Sequence, residues 1–171
     1  MIHILGAIFI VGACGVVGLE QSYRLRARVR VLTALIDALN RLHGGIVQNL
    51  RPLPELIEIL ADEAPQQVRP FFSVLCGQLD KLGEKPFFVL WRAAAEESCE
   101  KLYLREKETE ALIEPGRVLG GDLKAQDRAL TLCLERMKEY RSEAYAELRE
   151  RSRLYTVLGF SGGLLFVIIL L

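Results

Sequence analysis

The chain has 171 residues, 51% of them hydrophobic, and its 22 basic and 22 acidic side chains leave no formal net charge at pH 7. A balanced charge gives no electrostatic footprint for nucleic acid. Every charged side chain falls between Glu20 and Arg153, so both ends of the chain are uncharged.

The first uncharged run, residues 1–19 ("MIHILGAIFIVGACGVVGL"), has no polar face of the kind a soluble amphipathic helix shows. As a helix it spans roughly 27 Å at about 1.5 Å per residue, close to the roughly 30 Å hydrocarbon core of a bilayer. It reads as a transmembrane helix. A cleaved signal peptide would need a positive segment ahead of the apolar run, and here the arginines come after it. Val11-Gly12-Ala13-Cys14 faintly resembles a lipoprotein cleavage site, but the same missing charge argues against it.

The central segment, 20–153, is long enough for one domain with its own core. Its opening carries a seam of Leu25, Val29, Leu32, Ile36, Leu39, His43, Ile46 and Leu50. The steps alternate four and three, as in a helix packed along one stripe. The phase runs through Gly44-Gly45, which predicts one helix to about Asn49, with the glycines allowing a neighbouring helix close. "RPLPELIEILADEAP" predicts a second helix with Leu53, Leu56, Ile57 and Leu60 on one face. Pro52 and Pro54 suit its start and Pro65 its end. "VRPFFSVLCGQLDKL" predicts a third, carrying Val68, Phe71, Phe72, Leu75, Leu79 and Leu82 up to Gly83.

A fourth helix is expected from near Pro86 to about Ser98, with Phe87, Trp91 and Ala94 inward. A fifth covers about Arg105 to Leu119 and is kinked at Glu114-Pro115-Gly116. "LGGD", Leu119 to Asp122, is a stop and a start: Gly120 or Gly121 as a left-handed cap, then Asp122 as N-cap. The sixth helix presents Leu130, Cys133, Leu134, Met137, Tyr140, Ala144 and Leu148 on one side and meets no breaker before Gly159. The second uncharged run, 154–171 ("LYTVLGFSGGLLFVIILL"), reads as another transmembrane helix. The expected fold is therefore all-α, a six-helix bundle whose first and last helices extend into the membrane.

Flanking charge orients it. Arg24, Arg26, Arg28 and Arg30 follow the first span, and Arg136, Lys138, Arg141, Arg149, Arg151 and Arg153 precede the second. Positive residues near span ends favour the cytoplasmic side. That gives a two-pass protein with a cytoplasmic centre and both termini outside. The plainer view, that these arginines only solvate helix surfaces, leaves the two-sided asymmetry unexplained.

Chemistry is mostly missing. His3 and His43 have no paired ligand, and Cys14, Cys76, Cys99 and Cys133 have no CxxC spacing. The cysteines read as small apolar fillers. His43 reads as a polar residue setting register in the seam, with a pH-sensitive or metal role as the alternative. No Walker, GxGxxG, GxSxG or HExxH motif is present. The run "EESCEKLYLREKETE" reads as a solvated helix face with Glu97 and Lys101 at i,i+4. No catalytic, metal or cofactor site is expected, nor a small-molecule substrate. Gly159 with Gly163, and Cys14 with Gly18, are small-xxx-small pairs suited to packing membrane helices, although spans are often glycine-rich in any case.

Four stretches carry a resemblance: "LGAIFIVGACGVVGLEQS", "RPLPELIEILA" at Arg51–Ala61, "LGGDLKAQDRALTLCLERM" at Leu119–Met137, and "YTVLGFSGGLLFVIILL". The most specific is Leu119-Gly120-Gly121-Asp122 with Gln126 four residues on. With them the chain resembles the stage III sporulation protein AB family of endospore-forming bacteria over essentially its whole length. One departure is Pro115-Gly116, which bears on the straightness of the fifth helix. The resemblance implies a soluble domain similar to the cytoplasmic helical domains of the inner-membrane F protein of type II secretion and type IV pilus systems. It also implies a place in the mother-cell membrane, beside other stage III sporulation operon proteins that build a channel to the forespore. Among these the cytoplasmic ATPase is the expected partner, and sporulation the process served. Candidate partner-interface residues are Pro52, Leu53 and Pro54 and the turn Leu119, Gly120, Gly121, Asp122 and Gln126, with helix capping as the plainer role. A purely structural membrane scaffold, or a membrane-anchored sensor using His43, are the competing classes.

Overall fold

In a computed structural model the backbone is described for residues 2–170 and side chains for 23–99 and 101–151. Among the described residues there are six α-helices: α1 (Ile2–Val47), α2 (Leu53–Glu63), α3 (Arg69–Cys76), α4 (Phe87–Leu102), α5 (Glu106–Ile113) and α6 (Leu123–Leu170). No strand occurs among the described residues. The two apolar runs expected to span a membrane, with Cys14, Gly18, Gly159 and Gly163 in them, lie outside the residues whose side chains are described. Among the described residues no helix is long and apolar enough to cross a membrane.

The frame is the pairing of α1 with α6, the most extensive in the molecule. It is antiparallel, because Arg28 meets Glu147 near one end and His43 meets Asp127 near the other. The end with Arg28 and Glu147 is called the terminal end here, and the opposite one the turn end. Helices α2 to α5 pack successively on one another and lean on this pair.

Burial on α6 follows the expected face: Leu130, Cys133, Leu134, Met137 and Ala144 are buried, with Tyr140 and Leu148 half-buried. On α1 the buried strip is wider than the single seam, and Ala27, Arg28, Val31, Ala34, Leu35, Ala38 and Leu42 are buried as well. The reason is that α1 meets α2 and α4 as well as α6. Gly45 explains how α2 comes so near: a Cβ there would stand 2.4 Å from Leu56 Cδ2.

Three expectations need correction. Leu50 is not in the seam: α1 ends at Val47, Leu50 takes φ 50 and is 69% exposed. Past the helix end its side chain no longer follows the helical period, and the prolines at 52 and 54 bias the preceding backbone away from helix. The third helix stops at Cys76, with a separate 3-10 turn at Leu79–Lys81, and Leu82 is exposed. Gly77 N still donates to Ser73 O, four residues back, but Gln78 N donates to Leu75 O, three back, so the helical hydrogen bonding that the apolar spacing implied changes at Gln78. The fifth helix does not kink at Pro115. It ends at Ile113 and tightens into a 3-10 turn, Glu114–Arg117.

That last turn serves the core. Trp91 is fully buried, stacked edge-on against Phe71 at 4.9 Å, and its Nε1 donates to Leu112 O at 2.8 Å. Gly116 lies directly against the indole, where an added Cβ would be 2.4 Å from Trp91 Cδ1. Buried indole N–H groups need such a partner, and glycine lets the backbone come close enough to complete the pocket.

Candidate functional site

The two candidate interface segments are far apart in sequence and meet at the turn end. The left-handed residue of the turn is Gly120, at φ +85, and a Cβ on it would reach Leu53 Cδ2 at 4.0 Å. Asp122 caps α6, its Oδ2 accepting from Ala125 N at 3.1 Å. Gln126 is buried and closes the turn from behind, its Nε2 donating to Gly121 O at 2.8 Å. Leu119 is in the core. The loop thus divides local roles among its residues: Gly120 reverses the chain, Asp122 caps, Gln126 clasps and Leu119 anchors.

What the turn end offers outward is different. Pro52, Pro54 and Asp122 are exposed and Leu53 half-buried. Two exposed leucines flank them, Leu50 beside Pro52 and Leu123 beside Asp122. His43 on α1 joins Asp127 on α6 at 2.7 Å just below, with both side chains partly in water. It is a cross-helix tie at the partly open end of the seam.

A second polar cluster, at the terminal end, has no motif in the sequence to announce it. Arg28 is 3% exposed and Glu108 0%. Arg28 Nε donates to Glu108 Oε1 at 3.0 Å, and its Nη2 donates to the same oxygen. Glu108 is the third residue of α5, and its Oε2 also accepts from Arg105 N at 2.8 Å, reaching back as a capping residue does. Glu147 on α6 gathers three guanidinium groups: Arg28 at 3.0 Å, Arg105 at 2.6 Å and Arg151 at 3.2 Å. Beside them Lys107 donates to Glu143 at 2.7 Å, and this hydrogen bond holds the Glu143 carboxyl below its ordinary range.

This corrects two readings. Arg28, counted among the positive charges flanking the first span, is a buried pairing residue, and Glu108 does not belong to a solvated face. A signal for Arg28 is present in the sequence. Arg28, Leu35 and Leu42 recur every seven residues beside the first seam, sharing Leu32, Leu39 and Ile46 with it in the four-three pattern, and all six are buried. An arginine heading such a stripe requires a buried acid opposite.

The thiols lie away from both clusters. Cys133 is buried and donates to Ala111 O at 3.3 Å, and burial pushes its pKa up to about 12. Cys76 is raised too, by burial first and then by Glu58, Asp62 and Asp80. Cys133 fits the role of apolar filler, whereas Cys76 and Cys99 are only half-buried. Among the described residues no group of three or more His, Cys, Asp or Glu side chains is arranged to hold a metal ion.

Comparison with known proteins matches residues 3–171 to the family model described as Stage III sporulation protein AB. The chain belongs to that family. It is 29% identical over 172 residues to the stage III sporulation protein AB of Bacillus subtilis (strain 168), covering all of both chains. A solved structure titled Stage III sporulation protein AB (SpoIIIAB) superposes with a TM-score of 0.66 at 27% identity, covering 72% of this chain and 97% of that one. For the stage III sporulation protein AB family, the all-α architecture is thus common to this chain and a solved member, and the family is one of sporulation.

Proposed function

We propose that this protein is a membrane-anchored platform component of the sporulation channel complex between mother cell and forespore. Its central domain is cytoplasmic and similar in kind to the helical domain of the type II secretion F protein. Residues 1–19 and 154–171 cross the mother-cell membrane, with both termini outside, and the turn end engages the ATPase of the same operon. The protein performs no catalysis of its own.

The observation that carries this reading is the antiparallel α1–α6 pair. Helices paired in this way lead both uncharged runs off the same end of the bundle, as two adjacent membrane legs require. The opposite end is then the one farthest from the bilayer. It bears the exposed apolar residues Leu50 and Leu123, with Leu53 and Gly120 lying near each other. Exposed apolar side chains rimmed by polar groups mark interaction sites when they form one patch, and Leu50 and Leu123 are taken as parts of one.

The test is a titration of the full-length protein in lipid nanodiscs with the ATPase, with and without nucleotide. Saturable binding is expected, weakened at least about tenfold by Leu50→Glu with Leu123→Glu, since truncating or charging a hot spot costs about 2 kcal/mol or more. Absence of binding by folded protein would overturn the ATPase contact and leave the purely structural scaffold as the better account.

A further inference from the structure

Between the terminal ends of α1 and α6 and the α4–α5 turn lies an open pocket of about 620 Å³. Arg24, Arg28, Arg105 and Arg151 line it, and the one carboxylate among the described residues of its wall is Glu147. We propose that this pocket binds a phosphate anion, presented as the headgroup of an anionic phospholipid.

The case begins with charge. Arg105 and Arg151 carry the surplus, because Arg28 is committed to Glu108 and Glu147 and Arg24 is already engaged. Arg28, Arg105 and Arg151 share Glu147, through one bond each. A guanidinium has five N–H donors, so one carboxylate leaves most of the donors of Arg105 and Arg151 facing water. A concave surface with surplus cationic donors concentrates anions, and planar guanidinium groups match phosphate oxygens in pairs. Arg28 adds rigidity, because its buried bonds to Glu108 fix the floor of the pocket before any ligand arrives.

Position selects the lipid as the source of phosphate, and this step rests on the proposed membrane legs. Arg24 lies five residues after Leu19 and Arg151 three before Leu154. At about 1.5 Å per residue these are rises of roughly 8 and 5 Å, which puts the pocket mouth at headgroup level. Leu25 and Leu104 supply an apolar border on which the upper acyl chain can rest.

The full-length protein in neutral detergent micelles would be titrated with short-chain phosphatidylglycerol, short-chain phosphatidylcholine and inorganic phosphate, each followed by thermal shift. Phosphatidylglycerol should give a saturable rise in Tm that phosphatidylcholine does not. Arg105→Gln with Arg151→Gln should weaken it at least about tenfold, the loss of one charge-assisted hydrogen bond being worth roughly 1.5–3 kcal/mol. Arg151→Gln alone, which leaves Arg28 and Arg105 on Glu147, serves if the double variant does not fold. A control, Arg41→Gln with Arg92→Gln, removes equal charge from exposed i,i+4 pairs elsewhere and should change nothing. Equal response to both lipids, or an unchanged response in the pocket variants, would overturn the site. Saturation by phosphate as tight as by phosphatidylglycerol, lost in the same variants, would overturn the lipid as source. Membrane anchoring is read separately, by flotation of the same protein with vesicles of phosphatidylcholine alone. Failure there would sink the anchoring reading whatever the micelle titration returns.

Discussion

Polar pairs hold α1 at the two ends of the bundle, to α5 at one and to α6 at the other, in opposite circumstances. At the terminal end, Arg28 and Glu108 meet with side chains 4% and 0% exposed. At the turn end, His43 and Asp127 meet at 24% and 48%. Distance hardly separates the two contacts; water does. In a medium stripped of water an unmatched charge costs several kcal/mol, so a buried pair is held chiefly by the penalty for losing one member. In water the same geometry yields little, because each partner is nearly as well solvated alone. The terminal end is therefore built so that a single change is severe, and the turn end so that changes are tolerated. A surface that must adapt to a partner suits the second kind of construction.

The largest effect should come from separating Arg28 and Glu108. Glu108→Ala leaves the buried Arg28 guanidinium facing a cavity with Glu147 as its remaining acid, and also removes the cap on Arg105 N, so a loss of about 3 kcal/mol is expected in urea denaturation. Replacing both members, Arg28→Met with Glu108→Leu, removes the stranded charge and should recover most of that loss. If the double variant were as unstable as Glu108→Ala, the pair itself, and not the isolated charge, would be the source of stability.

Legibility in the sequence follows the same division. The face of α6 is readable because one stripe of it is buried and the rest is not. The face of α1 is half readable, since a helix packed by three neighbours buries two adjacent stripes and the heptad rule picks out one. Arg28 heads the other stripe, and its partner Glu108 is 80 residues away, a pairing that no local pattern encodes. The LGGD turn is legible down to the cap at Asp122, because capping joins a side chain to the very next turn of its own helix. Its meeting with Leu53 is not, because it depends on how α2 lies against α1. That closeness is fixed by Gly45, whose role as a point of close approach is visible in the sequence only in outline. Spacing alone overextends the third helix, because Leu79 and Leu82 keep the period while the backbone hydrogen bonding changes at Gln78.

Between the ends sits Cys133, which reports how dry the middle of the pair is. Its pKa, about 12 when folded, lies above the roughly 8.5 of an unfolded thiol. The folded state therefore holds the proton longer. The thiol's contribution to stability is whole below about pH 8.5 and is lost as the pH rises towards 12. At pH 10 the loss is about 2 kcal/mol. Urea denaturation at pH 8 and pH 10 should show the natural protein losing that much more than Cys133→Ala, since lysines and tyrosines titrate alike in both. Equal losses would mean that water reaches the centre of the pair.

The smallest effect is expected at His43 and Asp127, and its smallness is what the comparison requires. A double-mutant cycle of His43→Ala, Asp127→Ala and the two together isolates their coupling from the unrelated costs of each change. The expected coupling is about 0.2–1 kcal/mol, because both side chains touch solvent. The same cycle on Arg28 and Glu108 should give several times more and change little with salt. If His43 and Asp127 coupled as strongly as the buried pair, the turn end would be rigid ground and a poor candidate for a surface that accommodates a moving partner. A weak tie instead leaves α1 and α6 free to shift slightly near the exposed Leu50 and Leu123, as the proposed partner contact requires, while the buried ions hold the other end fixed.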